Sequence, residues 1–231
     1  MSIQAEDCVI HMSAELVHLP VPLHRQTCQQ IYVDLANTRA AYDSIDASTP
    51  PMIRLYSRRG RAESAALFFP DRLLVVEEWC DIPLSTFEEK LRVLLPLVGA
   101  RRQVGPMLLN AATIRSTFAL SQREDARVFL LERVCGLADR IQAHFRRPLV
   151  TGGLRFVLPE TSEHDGALHI SIESFRHSNN EVFVEVKGIF GKRQIPWDQP
   201  EAVIENFRLV RRFITGHIFP FLAQFELLAE P

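Results

Sequence analysis

One stretch constrains this chain more than any other, because its plan returns in the second half. Residues 72–98 open with an apolar strand over 73–79, turn at Ile82-Pro83, and enter a helix through Ser85-Thr86-Phe87-Glu88. That tetrapeptide has the form of a capping box: the Ser hydroxyl accepts from the backbone N–H three residues on, and the Glu carboxylate reaches back to the Ser N–H. Two donors that a helix start leaves orphaned are thereby satisfied. Residues 182–218 repeat the plan, with a strand over 182–186, a turn at Ile195-Pro196, and Asp198-Gln199-Pro200-Glu201 opening a second helix, Asp standing for Ser. Ile82-Pro83, Ser85 and Glu88 each precede their counterparts by 113 residues. Unrelated helix starts need not agree in this way, so the spacing predicts an internal duplication with halves 1–100 and 101–231.

The rest of the chain fits that reading. In the first half the pattern predicts a strand over 9–19, placed at a sheet edge by the prolines that follow it, then a helix over 26–42 and a loop over 43–51. Strands over 52–57, 63–69 and 73–79 come next, then a helix over 86–98 closed by Gly99. In the second half it predicts a strand over 112–120, with Thr113, Arg115, Thr117 and Ala119 on one face. A helix over 121–145 follows, opened by a third capping box at Ser121 and Glu124, then strands over 148–158, 167–176 and 181–190. The final helix, 199–228, is broken near Gly216 because the ring of Pro220 blocks the hydrogen bond to the carbonyl four residues back. Each half reads β-α-β-β-β-α, an α+β class. The expected architecture is an antiparallel sheet with helices packed on one face, two halves joining edge to edge into a saddle of about eight strands. This topology resembles the TATA-binding-protein class of folds. Two small sheets back to back are the alternative.

Composition narrows the function classes. With 47% hydrophobic and 23% charged residues, the chain has the balance of an ordinary globular protein. Net charge is −2, which supplies no global field for nucleic acid or an anionic membrane. The 23 arginines against three lysines (Lys90, Lys187, Lys192) reflect codon usage more readily than phosphate recognition. Cys8, Cys28, Cys80 and Cys135 are far apart, form no CxxC pair and follow a polar N-terminus without the basic n-region of a signal peptide. They read as reduced thiols in a cytoplasm. The longest apolar run, 213–228, carries His217, Pro220, Gln224 and Glu226, so no membrane span is expected.

Phe69-Pro70-Asp71-Arg72-Leu73-Leu74-Val75 leading to Trp79 and Phe87, Gly153-Leu154-Arg155-Phe156, and Phe213-Ile214-Thr215 with Phe219 together resemble a sporadically distributed family of uncharacterised bacterial two-halved α+β proteins. The resemblance covers the middle and end of the chain. It implies the fold and no particular activity.

No catalytic signature assembles. His164, His169, Glu173 and His177 invite a metal reading, but alternate residues on a strand are about 7 Å apart, and no Cys pair or HExxH accompanies them. The expectation is a polar sheet face with no metal. Thr151-Gly152-Gly153 lacks the Lys of a phosphate loop, Cys135 lies on the apolar face of its helix, and Cys80 lacks a nearby cation that would activate its thiol. No catalytic, cofactor or metal residue is therefore assigned. If helices cover one side of the sheet, the other presents Arg54, Tyr56, Arg115, Arg155, Glu173, Arg176, Glu185 and Lys187. A face mixing Arg, Glu and aromatics suits a protein interface. The expected function is thus non-enzymatic: a cytoplasmic protein, free of membrane, that binds a protein partner or a second copy of itself through the sheet face or an edge. A nucleic-acid binder using the arginines is the alternative, and an enzyme of unrecognised type is the third reading.

Overall fold

The computed structural model describes residues 8–80, 82–121, 125–136, 143–147 and 150–227. Apolar residues at period two set the strands. In β9 (Glu181–Phe190), Val182, Val184, Val186, Gly188 and Phe190 are buried while the residues between them are half-buried, and β8 (Ala167–Ser174) buries Leu168, Ile170 and Ile172 in the same way. With β1 (Cys8–Val17), β2 (Ser44–Asp46), β3 (Ile53–Arg59), β4 (Ala62–Phe68), β5 (Arg72–Glu78), β6 (Leu109–Ala119) and β7 (Gly153–Leu158), they form one nine-stranded sheet. Its order is β2-β3-β4-β5-β1-β6-β9-β8-β7, and all neighbours are antiparallel. Outward from the central β1–β6 pair the strands run β5, β4, β3 on one side and β9, β8, β7 on the other. β2 lies outside β3. Among the described residues, nothing lies outside β7.

Helix α1 (Arg25–Leu35), α2 (Leu84–Arg102) and the final helix Pro200–Phe213 pack on one face of this sheet. Phe87, Leu91, Leu94, Leu95 and Val98 make the buried stripe of α2, and Val203, Ile204, Phe207 and Val210 that of the final helix. Phe87 and Phe207 meet edge to face at 5.1 Å, and that contact ties the halves together over the sheet.

Two of the three expected capping boxes, those of α2 and the final helix, are corrected. α2 starts at Leu84 with Pro83 as its N-cap, the final helix starts at Pro200 with Gln199 as its N-cap, and neither has a side-chain cap. The carboxylates have charged partners instead: Arg208 donates to Glu88 at 2.9 and 2.7 Å, and Arg92 donates to Glu201 at 2.6 Å. A guanidinium on the facing helix competes better for a carboxylate than one backbone amide does. Gly99 does not close α2 but lies within it, because a Cβ there would fall 2.3 Å from that of Trp197. Close packing, not chain termination, fixes that glycine.

Other boundaries move for local reasons. β1 is central rather than an edge strand, since Pro20 and Pro22 fall beyond its end at Val17. α1 stops at Leu35, where the Thr38 hydroxyl donates to the Leu35 carbonyl at 2.8 Å. β2 lies inside the expected loop over 43–51; three residues are too few to show a period. The helix expected over 121–145 begins at Ala126, with Asp125 accepting from the Arg127 N–H, and runs through π-helical Phe129–Val134. Gly136, at φ +63°, follows it. Ser121 bonds Glu226 instead, and Glu124 lies outside the described residues. The break expected from Pro220 takes the form of a π-helical stretch, Ile214–Ile218, before the last segment, Phe219–Leu227. No helix among the described residues is long and apolar enough to cross a membrane.

Candidate interaction face

Antiparallel partners share a face, so the register assigns each side chain to a side of the sheet. Arg54, Tyr56, Arg115, Arg155, Glu173, Glu185 and Lys187 all stand on the side away from the helices. Arg176 is the exception: β8 ends at Ser174, and Arg176 falls in the turn that follows. The chain leaves its extended alternation there, and the pattern alone could not register the change.

Across the strands this face is a set of charge rows. One runs Arg58, Glu63, Glu78, His11, Arg115, Glu185, Ser171, Arg155, each residue opposite the next. Glu63 accepts from Arg58 at 2.6 Å and also pairs with Arg54, whose guanidinium stacks on Tyr56 at 4.7 Å. Burial pushes the Glu63 carboxyl up, but the hydrogen bonds from Arg58 and Arg54 outweigh it and hold the group below its ordinary value. His11 bonds Glu78, and that bond holds the Glu78 carboxyl low against the opposing effect of burial. Arg115 donates to Glu185 at 2.6 Å, and Glu15 pairs with both Arg72 at 2.9 Å and Lys187 at 3.3 Å. The short side chains of Ser13, Ala65, Ala111 and Thr113 lie buried between these long ones.

The pairing stops at the β7 end. Arg155 makes only a long 3.5 Å contact with the Ser171 hydroxyl, and Arg176 and Glu173 have no charged partner among the described residues. Beside them, where β5 ends and β1 bulges between Val9 and His11, lies a cavity of about 450 Å³. Trp79 takes a left-handed backbone (φ 54°), which is strained for a bulky residue, while its N–H donates to the Ile10 carbonyl at 2.7 Å. This turns its ring toward Phe175 (6.1 Å) and His177 (5.5 Å), and Phe175 stacks on Phe183 at 6.4 Å. Arg61 covers Trp79 at 3.5 Å from the ring centre. A second cavity of about 340 Å³, bordered by Thr151, Gly153 and Arg155, shares Glu173, Ser174 and Arg176 with the first. The two form one groove, aromatic at one end and charged at the other.

Five of the expected residues, Arg115, Arg155, Glu173, Arg176 and Glu185, line this groove, while Arg54, Tyr56 and Lys187 do not. The aromatic wall was not anticipated. One signal was available: Phe183 is out of phase with Val182 and Val184, which marks an aromatic on the uncovered face. His169 stands in the row of Lys187 and Val157, away from Glu173 and His177. Among the described residues, no group of three or more His, Cys, Asp or Glu could hold a metal ion. Burial, then Glu77, pushes the Cys80 thiol up to about 11, away from nucleophilic use. A larger cavity on the helix side, about 490 Å³, is mainly apolar, and the Trp197 indole beside it already donates to the Gly105 carbonyl at 2.7 Å. Few polar groups are left there to select a ligand.

No protein-family model matches the chain, and no curated protein is similar to it.

Proposed function

We propose that the chain is a non-enzymatic protein-binding module that receives a protein partner on the uncovered sheet face, at the β7–β8–β9 end. One observation carries this reading: Arg155, Glu173 and Arg176, which have no charged partner among the described residues, border a groove whose other end is aromatic, whereas Arg54, Arg58, Glu63, Arg115 and Glu185 on the same face hold one another. Aromatic anchors rimmed by unsatisfied polar groups are the composition of an interface hot spot. A nucleic-acid surface is disfavoured because Glu63 and Glu185 neutralise Arg54 and Arg115, so the arginines form no continuous basic track. A reducing cytoplasm suits Cys28, Cys80 and Cys135, which are free thiols. The symmetric strand order supports, as part of the same proposal, descent from a duplicated β-α-β-β-β-α unit and a saddle like that of the TATA-binding-protein class.

The test is a photo-crosslinking amino acid placed at Phe183 in the groove and, as control, at Val33 on the outer side of α1, in the living source cells. The reading expects a discrete protein adduct from Phe183 alone, lost when Phe175→Ala is added. An adduct of twice the chain's mass identifies a second copy as the partner. Adducts to nucleic acid, or equal labelling from both positions, would overturn it.

A further inference from the structure

β3 and β7 hold equivalent places in the strand order, each the fourth strand outward when its half is counted from the centre. Their sequences carry the same alternation, Ile53-Arg54-Leu55-Tyr56 and Leu154-Arg155-Phe156-Val157. In both, the arginine faces the uncovered side and the next residue faces the helices. What differs is the outer neighbour. β3 is covered by the chain's own β2, which sets Ile45 opposite Leu55, Asp46 opposite Arg54 and Ser44 opposite Tyr56. Leu55 is fully buried.

Among the described residues, nothing occupies that place beside β7. Phe156, Val157 and Leu158 are 41%, 60% and 41% exposed, and among the described residues Arg155 has no charged partner. An edge of this kind offers a row of unpaired N–H and C=O groups together with apolar side chains. Proteins ordinarily blunt such edges with charge, proline or a cover. The first half does so with a three-residue strand followed by Pro50 and Pro51.

We propose that the β7 edge is completed by an extended strand of a partner protein, paired antiparallel, with an apolar residue opposite Phe156 and, immediately after it, an acidic residue opposite Arg155. This rests on the protein-binding reading above and adds the partner's chemistry. Backbone pairing supplies a site of the strand-addition type, and the alternate side chains give it selectivity. The complement is the one that Ile45 and Asp46 provide for β3.

A second copy of β7 is a poorer occupant. Antiparallel partners must share a face, so a twofold pairing within β7 sets Arg155 against its own copy, Gly153 or Val157, and none of these supplies an acid. A twofold at Arg155 opposes two like charges, which destabilises a cross-strand pair. The strand running into the groove also favours a foreign chain, because Gly153, Leu154 and Arg155 border the cavity that holds Glu173 and Arg176.

The test is a backbone-amide NMR titration of the isotope-labelled full chain with a synthetic peptide of residues 41–48, which carries Ile45-Asp46, and with the same peptide bearing Asp46→Lys. The expected result is shift changes confined to residues 153–158 and the facing strand β8. Asp46→Lys in the peptide, or Arg155→Glu in the protein, should weaken binding about threefold, and the two together should restore it, as for an exposed ion pair. Phe156→Ala should weaken it roughly tenfold. Silence of β7 at millimolar peptide, or indifference to the charge swap, would overturn the proposal. So would a concentration-independent dimer whose β7 amides are already protected from exchange, since the occupant is then a second copy. If β7 is silent while cross-linking at Phe183 persists, only the edge assignment falls; if both are silent, the protein-binding reading falls with it.

Discussion

At the β3 end of the sheet, Arg54 and Arg58 both hold Glu63 and β2 covers the outer backbone; at the β7 end, Arg155, Glu173 and Arg176 have no charged partners among the described residues and the outer backbone is bare. The contrast extends beneath the sheet. β9 turns only valines and Phe190 toward the helices apart from Gly188, whereas β5 turns Leu73, Val75 and then Glu77, which pairs with Lys90 of α2. On the uncovered face, the β3 end pairs its charged side chains with one another, and among the described residues the β7 end does not. On the proposed reading, the first half is the scaffold and the second the docking end.

The strongest way to break that comparison is to remove the first half's internal pair. The Lys90 amino group donates to Glu77 and, at 2.6 Å, to the Ser64 hydroxyl, under the Tyr42 ring at 5.0 Å. The two side chains are only 9% and 3% exposed. Lys90→Met fills the volume but strands a buried carboxylate, so urea denaturation should show a loss of about 3–5 kcal/mol. Adding Glu77→Leu should recover most of it, because a matched apolar pair has no charge left to desolvate. A loss below about 1 kcal/mol would mean that the pair is solvated and the first half is no tighter than the second.

A smaller effect sharpens the contrast on the uncovered face itself. Arg54→Ala removes a charged hydrogen bond to the half-buried Glu63 and the stack on Tyr56, and should cost about 1–2 kcal/mol. Arg155→Ala, at the equivalent place on β7, should change stability by less than about 0.5 kcal/mol. Paired thermal or urea melts of the two variants decide the matter. Equal losses would show that Arg155 has structural partners after all, and the edge would then not be vacant for a ligand.

Period-two alternation was enough to identify the uncovered face, because a residue's side depends only on its phase within its own strand. Arg54, Tyr56, Arg115, Arg155, Glu173, Glu185 and Lys187 were legible for that reason; Arg176 was not, because its strand ends two residues earlier. What lies opposite what was not legible. Glu185 reaches Arg115 across 70 residues of chain, and register between distant strands leaves no local trace. The capping boxes failed on the same ground, since Glu88 and Glu201 found guanidinium partners on the facing helices that no local pattern encodes. The aromatic groove depended on Trp79 turning left-handed at the end of β5, a backbone choice that the residue type itself disfavours.

The least of the expected effects is a pH dependence, and it locates the first half's tighter pairing at single carboxylates. Glu78 is held below its ordinary value by its hydrogen bond from His11, then, against burial, by the charges of His11 and Arg115; Glu63 is held low by Arg58 and Arg54. A carboxyl whose folded pKa is depressed binds its proton more weakly in the native than in the unfolded state. Its contribution to stability is therefore complete above the unfolded value, about 4.3, and fades as pH falls through the lower folded value. Glu78→Gln removes that contribution at neutral pH but mimics the protonated group in acid. The urea midpoint of the variant should lie below that of the parent at about pH 6, and the gap should close toward about pH 3. A gap that stays constant with pH would mean that Glu78 acts through packing rather than charge, and the row from Arg58 to Glu185 would then be a set of separate pairs rather than a connected electrostatic girdle.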